Sequence, residues 1–146
     1  MTHIRTTHVG SLPRSQEVTD FLFSKEKNQA YNATHFDEVM KKHVDLIVSR
    51  QKDCGIDIVS DGETSKISYA TYVKDRYTGF SGDSPRNAPA DLIMFPTFLQ
   101  RLADSGGTPE YTRPMCTGEV KPLSKKKKKK DISNLKSAIK KYGNIH

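Results

Sequence analysis

Residues 55–63 read GIDIVSDGE: a glycine, a short apolar run, and then Asp61-Gly62-Glu63, two carboxylates hinged on a second glycine. What precedes the run decides how it folds. Thr34-His35-Phe36-Asp37 fits a capping box with Asp in place of the usual Glu, so a helix should start there. Phe36, Val39, Met40, Val44, Ile47 and Val48 then recur at helical spacing, and Gly55 stands where a C-terminal glycine cap belongs. A helix, a tight turn and a strand over Ile56–Ser60 make the αβ half of a parallel unit, its strand at least partly buried on both faces. In parallel α/β folds, sites gather outside the carboxyl ends of the strands, which is where Asp61 and Glu63 fall. A carboxylate so placed can bind an ammonium group or take a proton. A solvated surface turn would use the same residues, and position alone leaves both readings open.

Working outward, residues 3–14 (HIRTTHVGSLPR) predict a first strand rich in β-branched residues, stopped by Gly10 and Pro13. Backbone N–H groups and the hydroxyl at Gly10-Ser11 can meet an anion, at the same kind of strand end as Asp61 and Glu63. A short helix is expected near Glu17–Phe23. A second helical stretch is expected over Ser65–Tyr77, with Tyr69, Tyr72, Val73 and Tyr77 on one side. A Gly, Ser, Pro and Asn-rich excursion should follow from Thr78 to Ala90, and a short helix should begin at Pro96. Arg113–Val120 reads as a third strand, and Asp131–Tyr142 as a last helix with Ile132, Leu135, Ala138 and Ile139 on one face and Gly143 as its stop. The order strand, helix, strand, helix, strand, helix is that of an α/β chain. It suits either a small open sheet or about the first three units of a (β/α)8 barrel, which needs on the order of 250 residues when whole.

With 34% hydrophobic residues among 146 and a mean hydropathy of -0.68, the core must be modest. The net charge of +7 is concentrated: Lys121–Lys141 holds ten lysines against Asp131, leaving the rest of the chain slightly acidic. Residues 121–130 read as a solvated, self-repelling loop. The run can touch phosphates, but no interleaved aromatics or recognisable module accompany it, so nucleic acid is not the expected partner. No stretch approaches the roughly 18 apolar residues of a membrane span, and the N-terminus lacks a signal peptide's apolar run, so a cytoplasmic location is expected. Cys54 and Cys116 are expected to be reduced, buried thiols. His8 and Cys116, near the first and third strand ends, lack the further ligands that a zinc site needs. His3, His35, His43 and His146 show no metal-ligand spacing, and no HExxH, P-loop or GxGxxG occurs.

Taken together, RTTHVGSLPR (5–14), GIDIVSDGETSKISYATYVKDRYTGF (55–80), PADL..FP.F..RL (89–102), RPMCTGEV (113–120) and DISNLKSAI (131–139) resemble the opening part of the catalytic domain of the cobalamin-independent methionine synthase family, above all its shorter single-barrel relatives. The resemblance implies a TIM barrel, of which residues 1–146 would be the N-terminal part. It implies S-methyl transfer in methionine biosynthesis, in which a zinc-bound homocysteine thiolate attacks the methyl group of a methyltetrahydrofolate. It also implies that Val9 and Ser11 hold the carboxylate end of the amino acid, that Glu63 receives its ammonium group, and that Asp61 stands beside it. The family's zinc ligands lie on later strands, and neither Cys54 nor Cys116 matches one. Glu119 stands where the family usually has proline.

The leading expectation is therefore a fragment of a methyltransferase, without metal ligands and inactive alone, whose pocket accepts a homocysteine-like thiol amino acid. A small basic protein using Lys121–Lys141 on nucleic acid or an acidic partner is the alternative. A third expectation is association with another chain that completes the barrel, because an open piece leaves strand edges and apolar faces uncovered.

Overall fold

Helix α1 (Gln16–Glu26) opens where the Ser15 side chain accepts the Val18 N–H, and it buries Val18 and Leu22. These elements come from a computed structural model that describes residues 3–84, 90–104, 113–124 and 126–142. Helix α2 (Ala33–Asp53) starts one residue before Thr34, because Asn32 Oδ1 accepts the Thr34 and His35 N–H groups at 3.0 Å each. The cap is thus an Asx residue just upstream of the box read from sequence. At the other end Gly55 takes φ 76, as a residue following a helix C-cap does, and the Ile56 N–H returns to the Gln51 carbonyl at 3.0 Å.

The apolar face of α2 serves two clusters. Val39 and Met40 pack with Val18 and Leu22, with Phe21, Phe36 and Ile67 at the margin. Val44 and Val48 pack with Val59 and with Ala138 of α6 (Lys126–Tyr142), flanked by Ile56, Leu135 and Ile139. Helix α6 begins at Lys126, so lysines 126–130 are helical and not part of a loop. Ser124 Oγ takes the Lys126 N–H at 3.1 Å, and lysine is a good helix former where water screens its charge. Lys130 meets Asp37 at 2.8 Å, Lys141 meets Asp45 at 3.1 Å, and Lys52 Nζ donates to the Tyr142 carbonyl at 2.6 Å. The partners advance together along both chains, so α2 and α6 run side by side in the same direction.

The two extended segments at 3–9 and 56–60 meet in one parallel bridge, Thr7 with Ile58, with the Ile58 N–H on the Thr6 carbonyl at 3.0 Å. Buried Gln51 secures the second segment from α2: its Nε2 donates to the Ser60 carbonyl at 2.8 Å and its Oε1 accepts the Ser60 N–H at 3.0 Å. Together with α1, α2 and α6 these segments form the first of two compact units, drawn from residues 1–67 and 124–146.

Residues 68–123 form the second unit. Its α3 (Tyr69–Lys74) carries a capping box between Ser68 and Thr71 and buries Thr71, while Tyr69 is exposed. Strand β1 (Phe80–Ser81) follows, then α4 (Ala90–Ile93), α5 (Pro96–Asp104), which does begin at Pro96, and strand β2 (Met115–Cys116). The strand expected over Arg113–Val120 is thus a two-residue rung, paired antiparallel with β1 through Phe80–Cys116 and Ser81–Met115. Gly79 permits this pairing: a Cβ there would lie 2.6 Å from the Gly118 carbonyl oxygen. The architecture is mixed α/β with few strands. Both cysteines are free and exposed, against the expectation of buried thiols. Cys54 is the C-cap of α2, and β2 turns both its residues outward.

Candidate functional site

The loops that follow the two extended segments are stitched together by backbone. Gly10, at φ 99, lets the chain turn, and the Leu12 N–H donates to the Gly62 carbonyl at 3.0 Å. Gly62 adopts φ 61, and a Cβ there would lie 2.9 Å from Ile47 Cγ2 and 3.0 Å from Leu12 Cβ, so only glycine fits.

Asp61 shapes the next turn. Its Oδ1 accepts the Glu63 N–H at 3.0 Å, while its carbonyl accepts the Thr64 N–H at 3.2 Å and the Thr64 hydroxyl at 2.7 Å. Glu63 is thereby held at φ 56, in the left-handed region that a non-glycine residue enters only when its surroundings over-determine it. The carboxylate is aimed at the first loop: the Ser11 hydroxyl donates to its Oε2 at 2.8 Å, and Lys66 Nζ lies 3.3 Å from its Oε1. The Glu63 and Lys66 side chains are each only 20% exposed.

Arg14 ties the frame. Its Nη2 reaches the Ser11 hydroxyl at 3.4 Å and donates to the carbonyls of Glu63 at 3.0 Å and Lys66 at 2.6 Å. Burial lowers its pKa from the ordinary value, and the charge of Glu63 opposes that shift. His43 of α2 is buried beside the Pro13 backbone, and its Nε2 finds no partner among the described residues. Burial lowers the His43 pKa first, the Pro13 backbone opposes, and Arg14 and Arg50 add to the lowering. A neutral imidazole thus backs the first loop.

Of the residues singled out in the sequence, Ser11 and Glu63 are brought into contact. Asp61 turns its carboxylate back onto the Glu63 backbone. Val9 is 84% exposed and is not brought into this group. Arg14, Lys66 and His43 were not legible as members of the group; the available signals were Arg14 closing the Gly-Ser-Leu-Pro-Arg loop and Lys66 three residues beyond Glu63. Among the described residues no three His, Cys, Asp or Glu side chains converge as a metal site would require. No described helix is long and apolar enough to cross a membrane.

Comparison with known proteins adds to this geometry. A model of the family described as the catalytic domain of cobalamin-independent synthase matches residues 4–84, a stretch that contains both loops. Among curated proteins, similarity is found to enzymes named 5-methyltetrahydropteroyltriglutamate–homocysteine methyltransferase. That of Desulforamulus reducens is 29% identical over 75 residues, that of Bifidobacterium adolescentis 29% over 75, and that of Haemophilus influenzae 26% over 76. Each alignment takes in about half of this chain, 51 to 52%, and 10% of the relative's length.

Proposed function

Because the chain belongs to the family of the cobalamin-independent synthase catalytic domain, we propose that loops 10–14 and 61–66 form part of the amino-acid pocket of an S-methyltransferase whose methyl acceptor is a homocysteine-like thiol. The 2.8 Å contact between Ser11 and Glu63 carries this reading, since it joins the ends of two parallel segments around one poorly exposed carboxylate. In this reading Glu63 receives the substrate ammonium, and Ser11 with the Val9 main chain meets its carboxylate end. Asp61 does not touch substrate; it sets the backbone of Glu63.

The same reading makes the first unit an opening part of a (β/α)8 barrel. The parallel bridge at Thr7 and Ile58, and the like direction of neighbouring α2 and α6, are what successive β/α units supply. Two such units are present in this reading, not three, because the segment around β2 pairs antiparallel with β1 and is counted out of the barrel. The remainder of the barrel would come from further sequence or from an associating chain, and the protein would work in the cytoplasm. A methyltetrahydrofolate is the co-substrate that fits the relatives' names; no residue here is assigned to it. Zinc does not fit the described residues, whose potential donors do not converge, so no step is routed through it.

The test is binding of L-homocysteine by the 146-residue chain, followed by calorimetry or ligand-detected NMR. Glu63→Gln keeps the shape and removes the charge, and it is expected to weaken binding about tenfold or more, the scale of one charge-assisted hydrogen bond. Equal affinity of the two proteins would sink the assignment.

A further inference from the structure

A buried imidazole backs the first loop, and the pocket described above makes no use of it. His43 lies beside the Pro13 backbone with its Nε2 buried and without a partner among the described residues. A neutral ring tolerates such a place, because one of its nitrogens carries no proton. The imidazolium carries a proton on both nitrogens, whichever tautomer it forms from, and would hold a buried N–H with no acceptor. Its charged neighbours add to the cost. Arg14 of the loop and Arg50, seven residues on in α2, both repel a third cation, and Arg14 Nε is itself buried without a partner among the described residues. The carboxylates of the elements packed around the ring are engaged elsewhere. Glu17 and Asp20 of α1 meet His35 and Gln16, Asp37 and Asp45 meet lysines of α6, Asp61 holds the Glu63 N–H, and Glu63 meets Ser11.

Relief is available without unfolding α2. Loop 10–14 is fastened to the second loop by the Leu12 N–H on the Gly62 carbonyl, the Ser11 hydroxyl on Glu63, and Arg14 Nη2 on the Glu63 and Lys66 carbonyls. Parting these few contacts gives the ring access to water and lets Arg14 move away from it. We propose that His43 is an acid-operated release for loop 10–14: its protonation lifts the loop, parts Ser11 from Glu63 and dismantles the pocket while α2 stays folded. With the loop lifted the ring takes its proton at about pH 6.5, and with the loop closed it resists it. The closed form is therefore favoured above that pH, and each unit below it shifts the balance toward the open form by up to about tenfold. Opening of the loop needs no ligand; its effect on the pocket rests on the reading of Ser11 and Glu63 proposed above, and the experiment separates the two.

The test is amide hydrogen exchange of the 146-residue chain without ligand, followed by NMR from about pH 7 to about pH 5 and corrected for the rate of an unstructured peptide. Protection of the Leu12 N–H is expected to fall about tenfold or more over this range. In the acid its exchange should be insensitive to dilute urea. The Val44 and Val48 N–H groups of α2 should exchange more slowly and speed up with urea, as groups freed only by full unfolding do. His43→Gln, neutral throughout, should abolish the pH response of Leu12; if that variant does not fold, the wild-type profile decides by itself. Leu12 protection that ignores pH overturns the release. So does a Leu12 that matches Val48 in rate and urea dependence, since the whole unit would then be opening, and so does a pH response that survives in His43→Gln. L-Homocysteine at about ten times its Kd should restore Leu12 protection about tenfold in the acid, because it binds only the closed form. No restoration in a protein that shows the pH response leaves the release standing and sinks the pocket reading.

Discussion

Two carboxylates on the same pair of extended segments are held in opposite ways. Asp57, at the start of the second segment, accepts the Thr6 N–H at 2.7 Å, the Thr6 hydroxyl at 2.9 Å and His3 Nε2 at 2.8 Å. These bonds, the backbone one foremost, pull its pKa from 3.8 to about 2. Glu63, at the far end, is met by a serine hydroxyl and a lysine head group. A carboxylate anchored on a backbone N–H is part of the chain's own pairing, and freeing it means opening the segments. One met by side chains can exchange partners by rotation alone. Asp57 therefore reads as a staple, whereas Glu63 keeps the freedom that the receptor role proposed for it needs, although the two residues look alike in sequence.

The harshest way to break that contrast is to disturb the turn that presents Glu63. Gly62→Ala places a Cβ against Ile47 and Leu12 at a positive φ. Overpacking and backbone strain together should cost about 2–3 kcal/mol in urea unfolding. Homocysteine affinity should fall in the same protein. A variant as stable as the wild type would show that Glu63 is not held by its backbone as described, and the contrast with Asp57 would lose its basis.

Gly62 also marks how far the sequence could be read. The periodicity of Val39, Met40, Val44, Ile47 and Val48 survives in the fold because burial of a helix face leaves a 3.6-residue signature regardless of partner. That Ser11 and Glu63 stand near one another was legible because both follow extended segments expected to lie side by side in an α/β chain. Arg14 was not legible, because what makes it part of the group is contact across two loops, which no local pattern encodes; Lys66 went unread although its spacing three residues beyond Glu63 was a local signal. The cap of α2 fell to Asn32 because one Asx oxygen reaches two N–H groups at once. Met115-Cys116 has strand chemistry, but residue type does not say whether a partner runs parallel or antiparallel. The cysteine expectation failed for a similar reason: thiols are buried on average, and average burial says nothing of a helix C-cap.

A gentler probe is Asp57→Asn, which should lower the melting temperature at neutral pH and leave homocysteine affinity unchanged. The pH dependence follows from the sign of the shift. A carboxylate with a depressed folded pKa contributes stability above its unfolded value near 3.8 and loses it as the pH falls toward about 2. His43 acts in the same direction at higher pH: its folded pKa lies below 6.5, so the unfolded chain binds the proton first and stability starts to decline below that value. Melting temperature followed from pH 7 downward should fall in two stages in the wild type. Asp57→Asn should lack the lower stage and keep the upper one. An unchanged acid limb, or a loss of ligand binding, would erase the distinction between staple and receptor.

The smallest expected effect comes from charge that is neither staple nor receptor. Lys130 meets Asp37 across α6 and α2, with both side chains about half exposed, and a surface pair of this kind contributes roughly 0.5 kcal/mol or less. Helix α6 is seated by Leu135, Ala138 and Ile139, so Lys130→Ser should shift unfolding by no more than that amount. Extending the change to Lys126, Lys128 and Lys129 tests the rival view of the basic segment as a nucleic-acid contact. Lys130 and Lys141 already face Asp37 and Asp45, which gives α6 an internal use for its charge. The wild type and the fourfold serine variant should then bind homocysteine equally, and neither should bind single-stranded RNA with a steep salt dependence. Salt-sensitive RNA binding by the wild type, abolished in the variant, would transfer the receptor role from Glu63 to the lysines, because only released counterions give that slope.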